Sequence, residues 1–289
     1  MRSPLLLLSC FAVLTANAQY GTFDLKTVTA AKAATTVVVL DDANTSYNQA
    51  LTSAMKADWK FTKAFDFINT ADLATQPIDP TKVYLMKIKR VDAEKHDAIF
   101  LALIQGWKQK KGEMLDVADG AVVNIPAAQE LASLMIDAKA VSSTNSAMLP
   151  LYVKHLQDFL KNVESGKIKD KATADRLYAG RNRSIKDMDL WIAKEHMDKT
   201  VPDAAKAKET YTKGLQVMDL AQLMAAATKG NAVAISDVVM TGDYKTKWCF
   251  KRIFNASTGE LMYLRDDAAL YGKKEGFIAE DLRMLEQSR

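Results

Sequence analysis

The chain aligns with itself without gaps at an offset of 150 residues, and this self-match constrains its fold more than any other feature. Ala54, Lys56, Ala57, Thr62, Lys63, Ala71, Leu73 and Val83 meet Ala204, Lys206, Ala207, Thr212, Lys213, Ala221, Leu223 and Val233, eight identities over the 35 positions 54–88, and Phe100 meets Phe250. Other pairs keep their character: Phe61 with Tyr211, Phe65 with Leu215, Leu85 with Ile235, Ile104 with Phe254. A long self-match with matching element order is the signature of a repeated unit.

The first unit reads from its apolar runs. Thr36-Val-Val-Val-Leu40 has no polar alternation, the pattern of a strand covered on both faces. Asp41 to Ser46 supply turn and capping residues, and Leu51, Met55 and Trp59 then recur four apart on one helix face. Residues 61–68 read as a second strand, 71–75 as a short helical turn, 83–88 as a third strand and 98–107 as a fourth, with 90–97 as the turn before it. In the second unit Lys247 to Phe254 and Glu260 to Arg265 flank Asn255-Ala-Ser-Thr-Gly259, whose glycine can supply the positive φ of a hairpin loop. A last helix over about 277–287 carries Ile278, Leu282 and Leu285 at helical spacing.

Between the units two helices are expected. Pro126 suits a first helical position, with Leu131, Leu134, Met135 and Ala138 following at i, i+3, i+4 and i+7. Leu149, Val153, Leu156, Leu160 and Val163 then make a heptad-like seam, read as a helix packed between the units, with a dimer seam as the competing use. The expectation is an α/β (α+β) fold: two similar strand-helix-strand-helix-strand-strand units with mixed sheets, joined by helices. The boundaries are 1–18 for a leader, 19–140 for the first unit, 141–170 for the bridging helix and 171–289 for the second unit.

The leader has the form of an export signal. Arg2 precedes the apolar run Leu5 to Ala16, and Ala16-Asn17-Ala18 supplies a small-x-small cleavage pattern before Gln19. The run is shorter than the roughly twenty residues of a spanning helix, so no transmembrane span is expected after cleavage. Leu7-Leu8-Ser9-Cys10 resembles a lipobox, yet only four leucines precede the cysteine where signal cores run about 7 to 15 residues. Cleavage after Ala18 is therefore preferred to lipidation at Cys10, and about seventeen residues of tether are expected before the first buried strand. Cleavage also removes one of the two cysteines, leaving Cys249 with no partner for a disulfide.

The 39 Lys and Arg against 35 Asp and Glu give +4, or +3 once Arg2 leaves, which is no electrostatic commitment to nucleic acid. Ser53-Ala-Met-Lys56 and Ser143-Thr-Asn145 match two elements of the penicillin-binding and β-lactamase set, but the third position holds Met240-Thr-Gly242 and lacks the cation. His96, His155 and His196 have no second His or Cys at metal-ligand spacing; Glu195-His196-Met197-Asp198 reads as a solvated loop. With no phosphate-cradling glycine pattern either, no catalytic, metal or cofactor residue is assigned. Cys249, between Trp248 and Phe250, reads as a buried small residue. Arg176, Arg181 and Arg183, in the densest basic region, are the candidate contacts for an envelope protein or an anionic envelope polymer.

A leader ending Ala-Asn-Ala before Gln19 on a Lys-rich, cysteine-poor chain resembles exported proteins of Bacteroidota-type bacteria, which implies a compartment, periplasm or cell surface, and no activity. The element order looks like small periplasmic envelope modules of the TolB N-terminal kind, which implies binding to other proteins. The expected function is a non-catalytic binding or scaffold protein of the cell envelope. Two alternatives stand beside it: a hydrolase or carbohydrate-active enzyme using strand-end carboxylates such as Asp41, Asp42 and Asp66, and a small-ligand-binding protein with a cleft between its units.

Overall fold

The computed structural model describes residues 20–91, 97–137, 145–227, 229, 231–242, 245 and 247–288. The leader with Cys10, His96 and Ser143-Thr144 lie outside the described residues. The first part of the chain runs α1 (Leu25–Lys32), β1 (Thr36–Leu40), α2 (Thr45–Asp58), β2 (Phe65–Asn69), α3 (Thr70–Ala74), β3 (Val83–Val91), β4 (Asp97–Gln105), the short β5 (Val117–Ala118) and β6 (Ala121–Val122), and β7 (Glu130–Ile136). Two helices follow, α4 (Leu149–Glu164) and α5 (Lys171–Arg181). The second part runs β8 (Leu190–Ala193), α6 (Ala204–Lys208), β9 (Leu215–Met218), α7 (Leu220–Ala227), β10 (Ala234–Thr241), β11 (Trp248–Asn255), β12 (Leu261–Ala268) and α8 (Ala279–Gln287).

The two sheets share one topology. The first is ordered β2-β1-β3-β4-β7 and the second β9-β8-β10-β11-β12, each with three parallel strands followed by two antiparallel ones. Parallel crossovers are right-handed, so stepping from β1 out to β2 and back past β1 to β3 puts the two crossing helices on opposite faces. Val38 and Leu85 accordingly pack with Tyr47, Leu51 and Met55 of α2, whereas Val37, Val39 and Met86 pack with Leu73 of α3. The second sheet repeats this, with Ala207 of α6 against Leu190 and Ile192, and Leu223 and Met224 of α7 against Ala193 and Ile235. Asn44 starts α2 by accepting from the Tyr47 N–H at 3.0 Å, as the capping residues predict.

Strand equivalence departs from the constant offset of 150. It holds for β2 with β9 and for β4 with β11, but Thr36 of β1 corresponds to Leu190, an offset of 154, and Val83 of β3 to Ala234, an offset of 151. A one-residue slip changes the face a side chain occupies. Leu85 therefore lies on the α2 side, while Ile235, its partner in the self-match, lies on the α7 side.

Two expectations are corrected. The segment expected to be a helix from Pro126 is a 3-10 turn (Ala127–Gln129) followed by β7, whose residues Leu131 to Ile136 are all buried. Both faces of β7 are covered, so its sequence is apolar without alternation, and such a run does not distinguish a buried strand from a buried helix. The decisive partner is β4, whose second edge β7 pairs. The expected tether is also structured from Tyr20 onward: Tyr20 is buried, stacks on Tyr178 at 6.0 Å and leads through a bridge between Gly21 and Ala132 into α1.

The helix expected over the 149–163 seam is α4, and it touches both sheets' units. Gln157 accepts from the Lys60 N–H at 2.6 Å and donates to the Asp58 carbonyl at 3.0 Å, while the Tyr152 hydroxyl donates to Asp237 at 3.0 Å and Lys154 donates to the Ser257 carbonyl at 3.3 Å. The β11–β12 hairpin approaches closely: Gly259 has φ +72, and a Cβ there would lie 2.2 Å from the Lys154 Cβ. Leu149, Val153, Leu156, Leu160 and Val163 are all buried in the chain's own core. The dimer use of this seam is thereby overturned, because intrachain packing covers it.

Where the sheets meet, the Arg252 side chain of β11 is fully buried. Its Nε donates to Asp237 at 2.8 Å and its Nη1 to the Met135 carbonyl of β7 at 2.7 Å. Removing one member of a buried pair strands the other charge, at a cost of about 3–5 kcal/mol, whereas replacing both with apolar residues is far milder. Arg252→Met is therefore expected to lose stability in urea unfolding by about that amount, and the Asp237→Leu/Arg252→Met double variant to recover most of it.

Candidate functional site

The residues singled out from the sequence do not converge. Arg181 binds Asp158 through both terminal nitrogens, at 2.6 and 3.0 Å, and approaches Glu260 at 3.3 Å, so it joins α5 to α4 and to β12 rather than facing a partner; Arg176 and Arg183 are exposed. Ser53 and Lys56 lie exposed on α2, and Thr241 is buried at the end of β10. Asp41 is ion-paired to the buried Lys87, whose ammonium also lies 4.9 Å from the Tyr47 ring centroid. Burial acts to raise the Asp41 pKa, but the Lys87 and backbone hydrogen bonds outweigh it and hold the carboxyl below the usual range. Asp42 caps α3 through the Ala71 N–H, and Asp66 is exposed on the edge strand β2.

The 195–198 cluster is equally committed to internal bonds. Glu195 accepts from the Leu220 N–H at 3.0 Å, and His196 Nδ1 lies 2.8 Å from the Ser236 hydroxyl. Asp198 accepts from the Thr200 hydroxyl at 2.6 Å and the Glu275 N–H at 3.0 Å. Among the described residues no three His, Cys, Asp or Glu side chains converge as a metal ion requires, and no helix is long and apolar enough to cross a membrane.

In α/β sheets ligands favour the carboxyl ends of the parallel strands, near the point where strand order reverses. In the first sheet that place is filled. After Leu40 the slot beside β3 is taken by β6, with Val122 opposite Ile88. The hairpin tip closes over the ion pair: Gly120 has φ +70, and a Cβ there would lie 2.9 Å from an Asp41 carboxylate oxygen.

In the second sheet the same edge is crossed by residues 269–277. Phe277 donates to the His196 carbonyl at 2.8 Å, and a Cβ on Gly276 would lie 2.4 Å from that oxygen, so only glycine permits the approach. Lys274 holds the segment to Asp267 at 2.9 Å and Lys247 holds Glu275 at 2.5 Å. Asp267 also binds the buried Lys251 at 2.5 Å, which reaches Asp281 of α8 at 2.6 Å. The strap is thus tied to the charge cluster under α8, and Tyr271 and Lys274 stand at φ 56 and 57.

The anchored strap leaves two depressions. One of about 700 Å³ is walled by Leu270, Tyr271, Ile278 and Ala279, with Lys199, Lys273 and Arg283 at its rim. The other, of about 470 Å³, lies towards Val201 and Pro202 and shares Lys199. A Cβ on Gly272 would lie 3.7 Å from the Lys199 ammonium, which places that charge between the two. Among the described residues Lys199, Lys273 and Arg283 make no ion pair, whereas Glu280 lies 3.3 Å from Arg265 and Asp198 accepts the internal bonds above. No protein family, curated protein or solved structure matches this chain. The three cations stand far apart along the sequence; the local signal for the site is Tyr271-Gly-Lys-Lys274 between the last strand and the last helix.

Two groups outside the groove give direct tests. Burial pushes the Cys249 thiol up to about 12, so it is expected to react with a thiol reagent only after denaturation, seen as absorbance on adding dithiobis(nitrobenzoate). His155 lies against Phe254 on α4, with its Nδ1 unpartnered among the described residues, and burial lowers its pKa from 6.5 to about 4. Between those values the unfolded chain takes a proton that the folded chain refuses. Stability is thus expected to fall as pH drops from 6.5 towards 4, by about 3 kcal/mol for this group. Urea midpoints at pH 4.5 and 7 should show a smaller difference in His155→Leu than in the parent; an unchanged difference would place the effect elsewhere.

Proposed function

We propose that this chain is an exported, non-catalytic binding protein of the cell envelope, in the periplasm or at the cell surface, and that the groove beside the 269–277 strap holds its partner. The observation that carries this reading is the pairing of an apolar wall with an excess of cations, Lys199, Lys273, Lys274 and Arg283 against Asp198 and Glu280, at the edge of the sheet where α/β folds hold ligands. The leader supports the compartment. The shared strand order supports descent of both units from one by duplication, after which the 117–122 hairpin filled one carboxyl edge and the other kept its groove.

The hydrolase reading needs two carboxylates facing one bond, and Asp41, Asp42 and Asp66 instead hold an ion pair, a helix cap and an exposed edge position. A ligand cleft between the units is disfavoured by the core shared between α4, the first sheet, Ile235 and Phe254. An Arg176 and Arg183 contact with an envelope polymer is a separate surface on α5 and the turn after it, and the groove reading does not depend on it.

Two measurements, made on the chain expressed in a bacterium, test the proposal. The chain recovered from the periplasmic or surface fraction is expected to begin at Gln19; recovery uncleaved in the cytosol would overturn the export. A photocrosslinking p-benzoylphenylalanine at position 271 is expected to trap a discrete adduct on irradiation of whole cells, where the same probe at Asp66 traps none. Equal labelling at both positions, or none at either, removes the groove from the proposal.

A further inference from the structure

Building on the groove reading, we infer that its ligand is an amphiphilic anion: a carboxylate or phosphate head joined to an apolar chain or ring. The head is specified by charge. Lys199, Lys273 and Arg283 come from three separate elements, the segment after β8, the strap, and α8, yet all line one depression. Lys274, the fourth cation of the lining, is already held by Asp267, and Glu280 is turned towards Arg265. The acids nearby are held by internal bonds, and although Lys199 also acts on the neighbouring Asp198, the lining carries four cations against two acids, an excess of positive charge that favours an incoming anion. A cationic head would meet three like charges.

The body is specified by the wall. Leu270, Ile278 and Ala279 present apolar surface beside those cations, and the Tyr271 ring, 62% exposed, stands at the mouth. A space of about 700 Å³ suits one short chain or a small ring system better than a folded surface. The strap is anchored at Lys274, Glu275 and Phe277, so the wall is set before a ligand arrives. A free amphiphile and a lipid offered from a bilayer share this chemistry.

Calorimetric titration of the chain lacking residues 1–18 tests the inference with octanoate and octyl phosphate. Acetate and inorganic phosphate serve as heads without a tail, octanol as a tail without a head, and octyltrimethylammonium as the opposite charge. The two octyl anions are expected to saturate one site, with every other probe at least tenfold weaker. The Lys199→Ala/Lys273→Ala/Arg283→Ala variant is expected to bind octyl phosphate at least tenfold more weakly while keeping its thermal midpoint. Co-sedimentation with phosphatidylglycerol but not phosphatidylcholine vesicles would place the source in a bilayer, and octyl-anion binding without it would point to a free amphiphile; each supports the inference. Equal binding of octyltrimethylammonium, or octyl-anion affinity unmoved in the triple variant, overturns it. So does the absence of saturation by either anion in the millimolar range. If a crosslinked adduct at position 271 persists in that case, the binding role stands and only the ligand chemistry fails.

Discussion

A guanidinium that water cannot reach determines where the two sheets meet. Arg252 lies in the middle of β11 and must find all its partners inside the protein, because burying an unpaired cation costs far more than the fold could offset. It finds a carboxylate one strand away and a peptide carbonyl on β7, the last strand of the other sheet. Tyr152 of α4 supplies a further bond to the same carboxylate. Apolar contacts are tolerant of small shifts, but this set is directional. It therefore fixes how β7, α4 and the second sheet are placed against one another, and Phe250 and Val239 pack beside Phe100 and Met135 in consequence.

The same principle operates under α8, where one buried cation is shared between two carboxylates. Lys251, the next residue along β11, points to the opposite face and is held by Asp267 and Asp281. Asp281 also accepts from the Ile278 N–H at 2.9 Å, so one carboxylate both starts the helix and neutralises the strand beneath it. The strap over the sheet edge is tied to this cluster through Lys274. The groove is therefore supported from below by a buried charge network rather than by loop packing alone.

How much of this was legible in the sequence depended on whether the signal was local. Residues 36–40 announce a buried strand because three consecutive valines leave no polar alternation, and the 149–163 seam marks α4 (Leu149–Glu164), shorter than the 141–170 assigned to the bridging helix, because it repeats over four turns. The hairpin around Gly259 followed from turn chemistry. β7 was misread because burial on both faces erases the alternation that marks a strand, and its identity rests on pairing with β4, more than twenty-five residues earlier. The self-match found the right element order but placed Leu85 against Ile235, since a one-residue slip leaves similarity almost unchanged while reversing the face. The groove is only partly local: Tyr271-Gly-Lys-Lys274 lies in one stretch, but Lys199 and Arg283 are brought to it by the fold, and no pattern of spacing encodes that.

The position of α4 has a consequence for how the molecule comes apart. A helix that accepts from Lys60 on one side and donates to Asp237 and Ser257 on the other belongs to neither half. Its apolar side is shared as well, with Leu51 and Met55 of α2 in the same core as Ile235 and Phe254. Neither half can then lose its structure without uncovering the other, so the chain should behave as one cooperative unit despite its twofold plan. Synthesis from the N-terminus would leave the first half with an uncovered face until α4 emerges, and the later strands would complete that core rather than begin a new one.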